Sequence, residues 1–215
     1  METRKVSFDK LIVVFCIVIA VEWVTSLFPF GAWYPHLTRT AVARAVEILL
    51  ILAYLHTMGG GLTVIGLNPM GMRNGLKTGI WWSICFGAIV AVIGAILFIA
   101  RINPIVYFKM TLPDTTTGVL FFFLVGAIVS PVAEELFFRG MLFGYLRRWG
   151  LPTALVASTA LFAALHGVHA VPITQIIGGI VFGFAYEKSN SLLAPMIIHT
   201  LANSAIFSLV ALTTG

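Results

Sequence analysis

Long apolar runs dominate this chain and limit the folds open to it. Of its 215 residues, 60% are hydrophobic and 10% are charged, whereas soluble domains carry about 25% charged residues. A run of about 20 apolar residues can span a bilayer as an α-helix, because the helix satisfies its backbone polar groups internally. We therefore predict an all-α, polytopic membrane helix bundle that forms a single integral membrane domain over residues 1–215.

The apolar runs predict about seven transmembrane helices, with a range of six to eight because the fifth and sixth runs are short. Charged or turn-forming residues bound the runs. The predicted spans cover residues 11–30, 40–56, 79–100, 117–146, 153–169, 172–186 and 192–212. The fourth span is long enough to tilt or to break at Pro131. The Gly-rich connector 58–75 is predicted to be a loop or a short interfacial helix.

The net charge of +5 is interpreted as the excess of Lys and Arg that cytoplasmic loops carry. The basic residues favour the side that holds the N-terminus, so we expect a cytoplasmic N-terminus. No basic-aromatic patch or nucleic-acid motif occurs, and we predict no nucleic-acid partner. Small size and the lack of a eukaryotic-style targeting segment favour a prokaryotic plasma (inner) membrane.

Three charged residues lie close together inside the fourth predicted span. Ions at the centre of a bilayer cost about 2.5–3.5 kcal/mol each on insertion scales, so they need a structural or functional reason. Glu135 and Arg139 are four apart and share a helical face, whereas Glu134 points about 100° away from Glu135 and faces another partner or a water. Arg44 and Glu47 in the second span are expected to form an ion pair near the membrane interface.

Polar residues in the fifth and last spans lie at a depth similar to that of Glu134. Counted from the cytoplasmic ends of their helices, Glu134, His166 and His199 lie about 20, 24 and 16 Å into the membrane. His199 and Asn203 share a face of the last span. Each histidine or asparagine alone is often a helix–helix hydrogen bond, and the Glu135–Arg139 pair alone could be structural. Several polar groups converging at one level predict a buried functional site.

These residues resemble the motifs of the CPBP family, also called the Abi family, which contains type II CAAX prenyl endopeptidases and bacteriocin-processing enzymes. The family patterns are Glu-Glu-x-x-x-Arg, Phe-x-x-x-His and His-x-x-x-Asn/Asp. In this chain they occur in the same order, at Glu134, Glu135 and Arg139, then Phe162 and His166, then His199 and Asn203. The resemblance covers roughly residues 117–212, which we predict to be the catalytic core.

The resemblance implies an intramembrane endopeptidase. By this analogy Glu134 is the general base that activates a water and His166 helps to hold that water. His199 and Asn203 would stabilise the oxyanion, while Glu135 and Arg139 would shape the site and balance its charge. The implied partners are a lipid bilayer and a membrane-associated or membrane-anchored peptide substrate. CAAX-type tails, peptide precursors and C-terminal anchors remain alternatives.

Metal dependence is a separate question. The chain has no His-Glu-x-x-His motif, and Arg139 adds positive charge near the site. We therefore predict a metal-free glutamate mechanism without a cofactor. The alternative is a divalent metal such as zinc, held by Glu134, His166 and His199.

Two other functions use the same residue types. Proton-coupled transporters also place Glu, His and Arg inside their spans, although the internal repeat typical of transporters is not evident here. A non-catalytic membrane scaffold or immunity protein could keep the polar cluster for stability alone.

Overall fold

The computed structural model describes residues 6–31, 33–57, 61–103, 110–166 and 172–214. Within these residues the chain forms seven helices and no strands, which confirms the predicted all-α class. The helices are α1 (Phe8–Ser26), α2 (Pro35–Thr57), α3 (Pro69–Ile99), α4 (Thr116–Trp149), α5 (Leu151–Leu165), α6 (Ile173–Ser189) and α7 (Leu193–Thr214).

The outer surface of the bundle is apolar. Large side chains such as Ile84, Ile93 and Phe98 on α3 are exposed, and contiguous apolar surface of this kind is typical of proteins that face lipid. Of the described helices, four are long and apolar enough to cross a membrane, namely α2, α3, α4 and α7, and α5 is a shorter apolar helix. The protein is therefore a helical membrane bundle.

Several predicted helix boundaries differ from the structure, including the start of α3 and the end of α5. Helix α3 begins at Pro69, where Asn68 caps it by accepting a hydrogen bond from the Gly71 N–H, so the predicted connector is helical from residue 69 onward. Part of the remainder forms a 3₁₀ turn over Gly61–Ile65. Helix α5 ends at Leu165, with His166 as its C-cap residue, so the fifth helix is shorter than predicted. His169 lies outside the described residues.

Helix α4 is the element to which the rest of the site is attached. Pro131 does not break it; instead the helix widens into π-helical turns at Leu124–Val129 and at Leu136–Phe143. Such turns are rare and often occur at functional sites. The part of α4 around these turns packs against α2, α5 and α7.

Close packing of α5 against α6 depends on a glycine. A Cβ atom at Gly179 would lie 2.6 Å from the Thr159 Cγ2 atom, so a side chain there would force the helices apart. Small residues allow such close approach between membrane helices. The contact brings the α6 backbone within reach of α4, where it accepts a hydrogen bond from a charged residue described below.

Candidate active site

Glu135 and Arg139 form an ion pair inside the bundle. The Arg139 Nη1 atom lies 2.9 Å from the Glu135 Oε1 atom, and both side chains are fully buried. Their four-residue spacing on α4 predicted this pair. A buried pair is stable only when its remaining donors and acceptors also find partners.

The protein supplies further partners for part of the Arg139 guanidinium, whereas the Arg139 Nε and Glu135 Oε2 atoms are buried without a hydrogen-bond partner among the described residues. Its Nη2 atom donates to the Gly179 carbonyl of α6 at 3.3 Å. The guanidinium carbon lies 4.7 Å from the centre of the Phe162 ring and 5.1 Å from that of Phe182. Cation–π contacts of this kind are strongest where water is excluded, so the aromatic rings replace part of the lost hydration. Phe162, named from the sequence, is therefore a wall of the site.

His199 joins α7 to the same pair. Its Nδ1 atom lies 2.8 Å from the Glu135 Oε1 atom, and its ring stacks on Phe182 with 4.6 Å between the centres. Because Glu135 is paired with Arg139 as a carboxylate, it accepts the hydrogen bond and the His199 Nδ1 atom carries the proton. The Nε2 atom is then directed away from Glu135.

His166 is oriented by the backbone of its own helix. Its Nδ1 atom lies 2.8 Å from the Phe162 carbonyl oxygen. A carbonyl only accepts, so the Nδ1 atom is the donor. Both imidazoles thus use their Nδ1 atoms for positioning and leave their Nε2 atoms for another group.

Glu134 is that other group. Its Oε2 atom lies 3.7 Å from the His166 Nε2 atom and 3.8 Å from the His199 Nε2 atom. This oxygen atom is buried and has no hydrogen-bond partner among the described residues. These distances are too long for hydrogen bonds and short enough for one water to contact all three groups. The arrangement can therefore hold a water between a carboxylate and two imidazoles.

Asn203 lies one turn beyond His199 on α7. Its Nδ2 atom donates to the Gly126 carbonyl of α4 at 3.0 Å. One of its two amide hydrogens is therefore engaged with backbone. The structure brings Glu134, Glu135, Arg139, His166 and His199 together, whereas the Asn203 side chain bonds to the α4 backbone.

A second ionic cluster lies between α1 and α2, and the sequence predicted only part of it. Arg44 pairs with Glu47 at 2.6 Å, as expected, and also with Glu22 at 2.9 Å. Glu47 is buried inside the protein. Helix α2, which carries Arg44 and Glu47, packs against the Ser130–Glu135 part of α4 that contains Glu134. No spacing rule within one helix could have predicted that proximity.

The described part of the chain contains no group of three or more His, Cys, Asp or Glu side chains in the geometry of a metal site. The three alternative zinc ligands are Glu134 and the two histidines, His166 and His199, whose Nε2 atoms lie near the Glu134 Oε2 atom. A ligating histidine commonly donates its other ring hydrogen to a carboxylate or a backbone carbonyl, as both histidines do here.

Comparison with known protein families gives a match to part of the chain. Residues 116–205 match the family described as type II CAAX prenyl endopeptidase Rce1-like. All seven site residues predicted from the sequence fall inside this range, whereas α1 to α3 lie outside it. Neither the curated proteins nor the solved structures include a match to the chain.

Proposed function

We propose that this chain, whose residues 116–205 belong to the Rce1-like family of type II CAAX prenyl endopeptidases, hydrolyses a peptide bond with Glu134 as the general base. The family supports an intramembrane endopeptidase in general terms. The observation that carries the residue assignment is the convergence of both imidazole Nε2 atoms on the Glu134 Oε2 atom.

In the proposed reaction, Glu134 takes a proton from the water as the water oxygen attacks the scissile carbonyl carbon. His166 carries its proton on the Nδ1 atom, so its Nε2 atom can accept a hydrogen bond from the other O–H of the water and orient the water. Collapse of the tetrahedral intermediate breaks the C–N bond, and Glu134 returns the proton to the leaving amine. Each step uses groups within reach of the Glu134 carboxylate.

The developing oxyanion needs a donor, and charge balance favours His199. Glu134 and Glu135 carry two negative charges and Arg139 carries one positive charge. An imidazolium at His199, which lies 2.8 Å from Glu135 and 3.8 Å from Glu134, makes the site neutral. Its Nε2–H then becomes a donor. The amide hydrogen of Asn203 that is not bonded to Gly126 is the second candidate donor.

The proposed substrate is a membrane-associated or membrane-anchored peptide. CAAX-type tails, peptide precursors and C-terminal membrane anchors all fit this class. We further propose a prokaryotic plasma membrane location with a cytoplasmic N-terminus, supported by the distribution of Lys and Arg. Impermeant labelling of a cysteine introduced before α1 in intact cells tests that orientation.

The Glu134→Gln variant tests the proposed base, because Gln keeps the shape of the side chain and removes its basicity. Membrane peptides and new C-termini are compared in cells making wild-type protein, Glu134→Gln or the control Glu187→Gln, which changes a carboxylate paired with Arg147 far along α6. We expect cleavage to fall by about 10²–10⁴-fold in Glu134→Gln only. Undiminished cleavage would remove Glu134 from this role.

A metal-free mechanism is the proposal for the cofactor question. The purified protein in detergent is treated exhaustively with a chelator and assayed on the peptides that accumulate with Glu134→Gln. Full activity after chelation is expected. Loss of activity that only zinc restores would assign Glu134, His166 and His199 to the metal instead.

A further inference from the structure

The first π-helical turn of α4 leaves one backbone carbonyl without its helical donor. At the end of this turn the Ser130 N–H bonds to the Val125 carbonyl, five residues back. The next donor in that register would be residue 131, which would bond to the Gly126 carbonyl. Residue 131 is proline and has no N–H. The sequence therefore leaves the Gly126 carbonyl without a backbone hydrogen-bond donor.

Asn203 on α7 occupies the position of the absent donor. Its Nδ2 atom lies 3.0 Å from the Gly126 carbonyl oxygen. An unsatisfied carbonyl inside a membrane protein is costly, so this hydrogen bond has a specific reason to form. Three residues are thus connected. Pro131 lacks the N–H that would bond to the Gly126 carbonyl, and the Asn203 side chain donates to that carbonyl instead.

A second contact holds the same two elements together. A Cβ atom at Gly126 would lie 2.8 Å from the Phe207 Cε2 atom, so the absence of a side chain admits Phe207. The Phe207 ring also packs against Phe122 and Phe123, with ring centres 4.8 and 5.6 Å away. Phe207 follows Asn203 by one turn of α7, so α7 is docked on the π turn over two successive turns.

This joint lies between the two helices that carry the proposed base and its imidazole partner. Pro131 precedes Glu134 by one turn of α4, and Asn203 follows His199 by one turn of α7. We propose that Asn203 is a positioning residue, which supplies the hydrogen-bond donor that Pro131 lacks and thereby sets the distance between Glu134 and His199. The catalytic part of this inference rests on the proposed peptidase function, and the structural part does not.

The inference differs from a direct role of Asn203 at the oxyanion. If Asn203 only donated a hydrogen bond to the substrate, a substitution at residue 131 could not compensate for its loss. A residue that satisfies the Gly126 carbonyl can be replaced, because alanine or serine at position 131 restores a backbone N–H on α4 itself. Rescue of an Asn203 variant by a Pro131 variant therefore separates the two roles.

The experiment is a double-mutant cycle with Asn203→Ala and Pro131→Ala, repeated with Pro131→Ser. Pro152→Ala is the control, since Pro152 lies in the first turn of α5, where no N–H is needed. The first readout is the thermal unfolding midpoint in detergent, which requires no substrate. The second is cleavage, per amount of monodisperse protein, of the peptides that accumulate with Glu134→Gln.

We expect Asn203→Ala to lower the unfolding midpoint by roughly 2–8 °C and cleavage by about ten- to a hundredfold. Either Pro131 variant, added to Asn203→Ala, should recover at least half of the lost midpoint and part of the cleavage, and Pro152→Ala should recover neither. Additive effects on the midpoint would overturn the proposed joint. Recovery of the midpoint without recovery of cleavage would overturn the positioning role and favour direct donation by Asn203.

A chain that cleaves no peptide even as wild type would instead contradict the proposed function. In that case the unfolding midpoints still decide whether Asn203 replaces the missing donor of Pro131. Asn203→Leu provides an independent variant, because leucine is similar in size to asparagine and has no side-chain donor. It should behave as Asn203→Ala does and be recovered by the same Pro131 variants.

Discussion

Two ionic clusters lie inside this bundle, and they hold their charges in different ways. The pocket cluster consists of Glu135, Arg139 and His199, with side chains 0%, 0% and 6% exposed. The α1–α2 cluster consists of Glu22, Arg39, Arg44 and Glu47. Its exposure falls from 42% at Arg39 and 33% at Glu22 to 25% at Arg44 and 2% at Glu47. The first cluster is sealed, whereas the second runs from an exposed end to a buried one.

The difference shows what burial requires of a charge. In the pocket cluster, hydrogen bonds, the Gly179 carbonyl and the rings of Phe162 and Phe182 replace water. Removing one partner there leaves an uncompensated buried ion. In the α1–α2 cluster the outer residues are screened, and each contact contributes little. The family match includes the pocket cluster only, although α2, which carries Arg44 and Glu47, packs against the Ser130–Glu135 part of α4.

The largest effect is expected for Arg139→Met. This change leaves Glu135 ionised and buried beside His199, which should cost about 3–5 kcal/mol of unfolding free energy and abolish cleavage. Reversible unfolding in mixed micelles measures it. The double variant Glu135→Gln with Arg139→Met removes both charges and should recover part of the stability. Equal stability of Arg139→Met and wild type would show that the pocket cluster is not held by compensation.

An intermediate effect is expected for Glu47→Gln at the buried end of the α1–α2 cluster. The side chain keeps its size but loses the charge that Arg44 contacts at 2.6 Å, which should cost about 1–3 kcal/mol. Because Glu47 lies on α2, which packs against the part of α4 that carries Glu134, cleavage should change by a few-fold, measured as kcat/KM. Unchanged cleavage would limit the active site to the part of the chain that matches the family.

The smallest effect is expected for Arg39→Gln at the exposed end. Arg39 lies 3.5 Å from Glu22, and contacts between exposed charges typically contribute about 0.2–1 kcal/mol. The free energy of unfolding should be indistinguishable from that of the wild type, and cleavage should not change. A clear loss of activity would mean that the α1–α2 cluster works as one unit from its exposed end to Glu134.

Much of the fold and part of the site could be predicted from local rules. The apolar runs predicted seven helices, and the four-residue spacing predicted the Glu135–Arg139 pair. The similar depths of Glu134, His166 and His199 predicted their convergence. Helix boundaries were predicted less accurately: α3 begins earlier than predicted because Asn68 and Pro69 provide a cap and a first turn, and α5 ends earlier, at Leu165.

The sequence by itself determined which helices form and which residues share a face, because helical period and apolar length are properties of neighbouring residues. Only the tertiary structure decided which atoms meet between helices. His199 uses its Nδ1 atom on Glu135 and leaves the Nε2 atom for Glu134, Asn203 bonds to the Gly126 carbonyl, and Glu47 lies near Glu134. These contacts depend on how closely α2, α4, α6 and α7 approach one another. That approach is set by packing at positions such as Gly126 and Gly179 and by the missing N–H of Pro131.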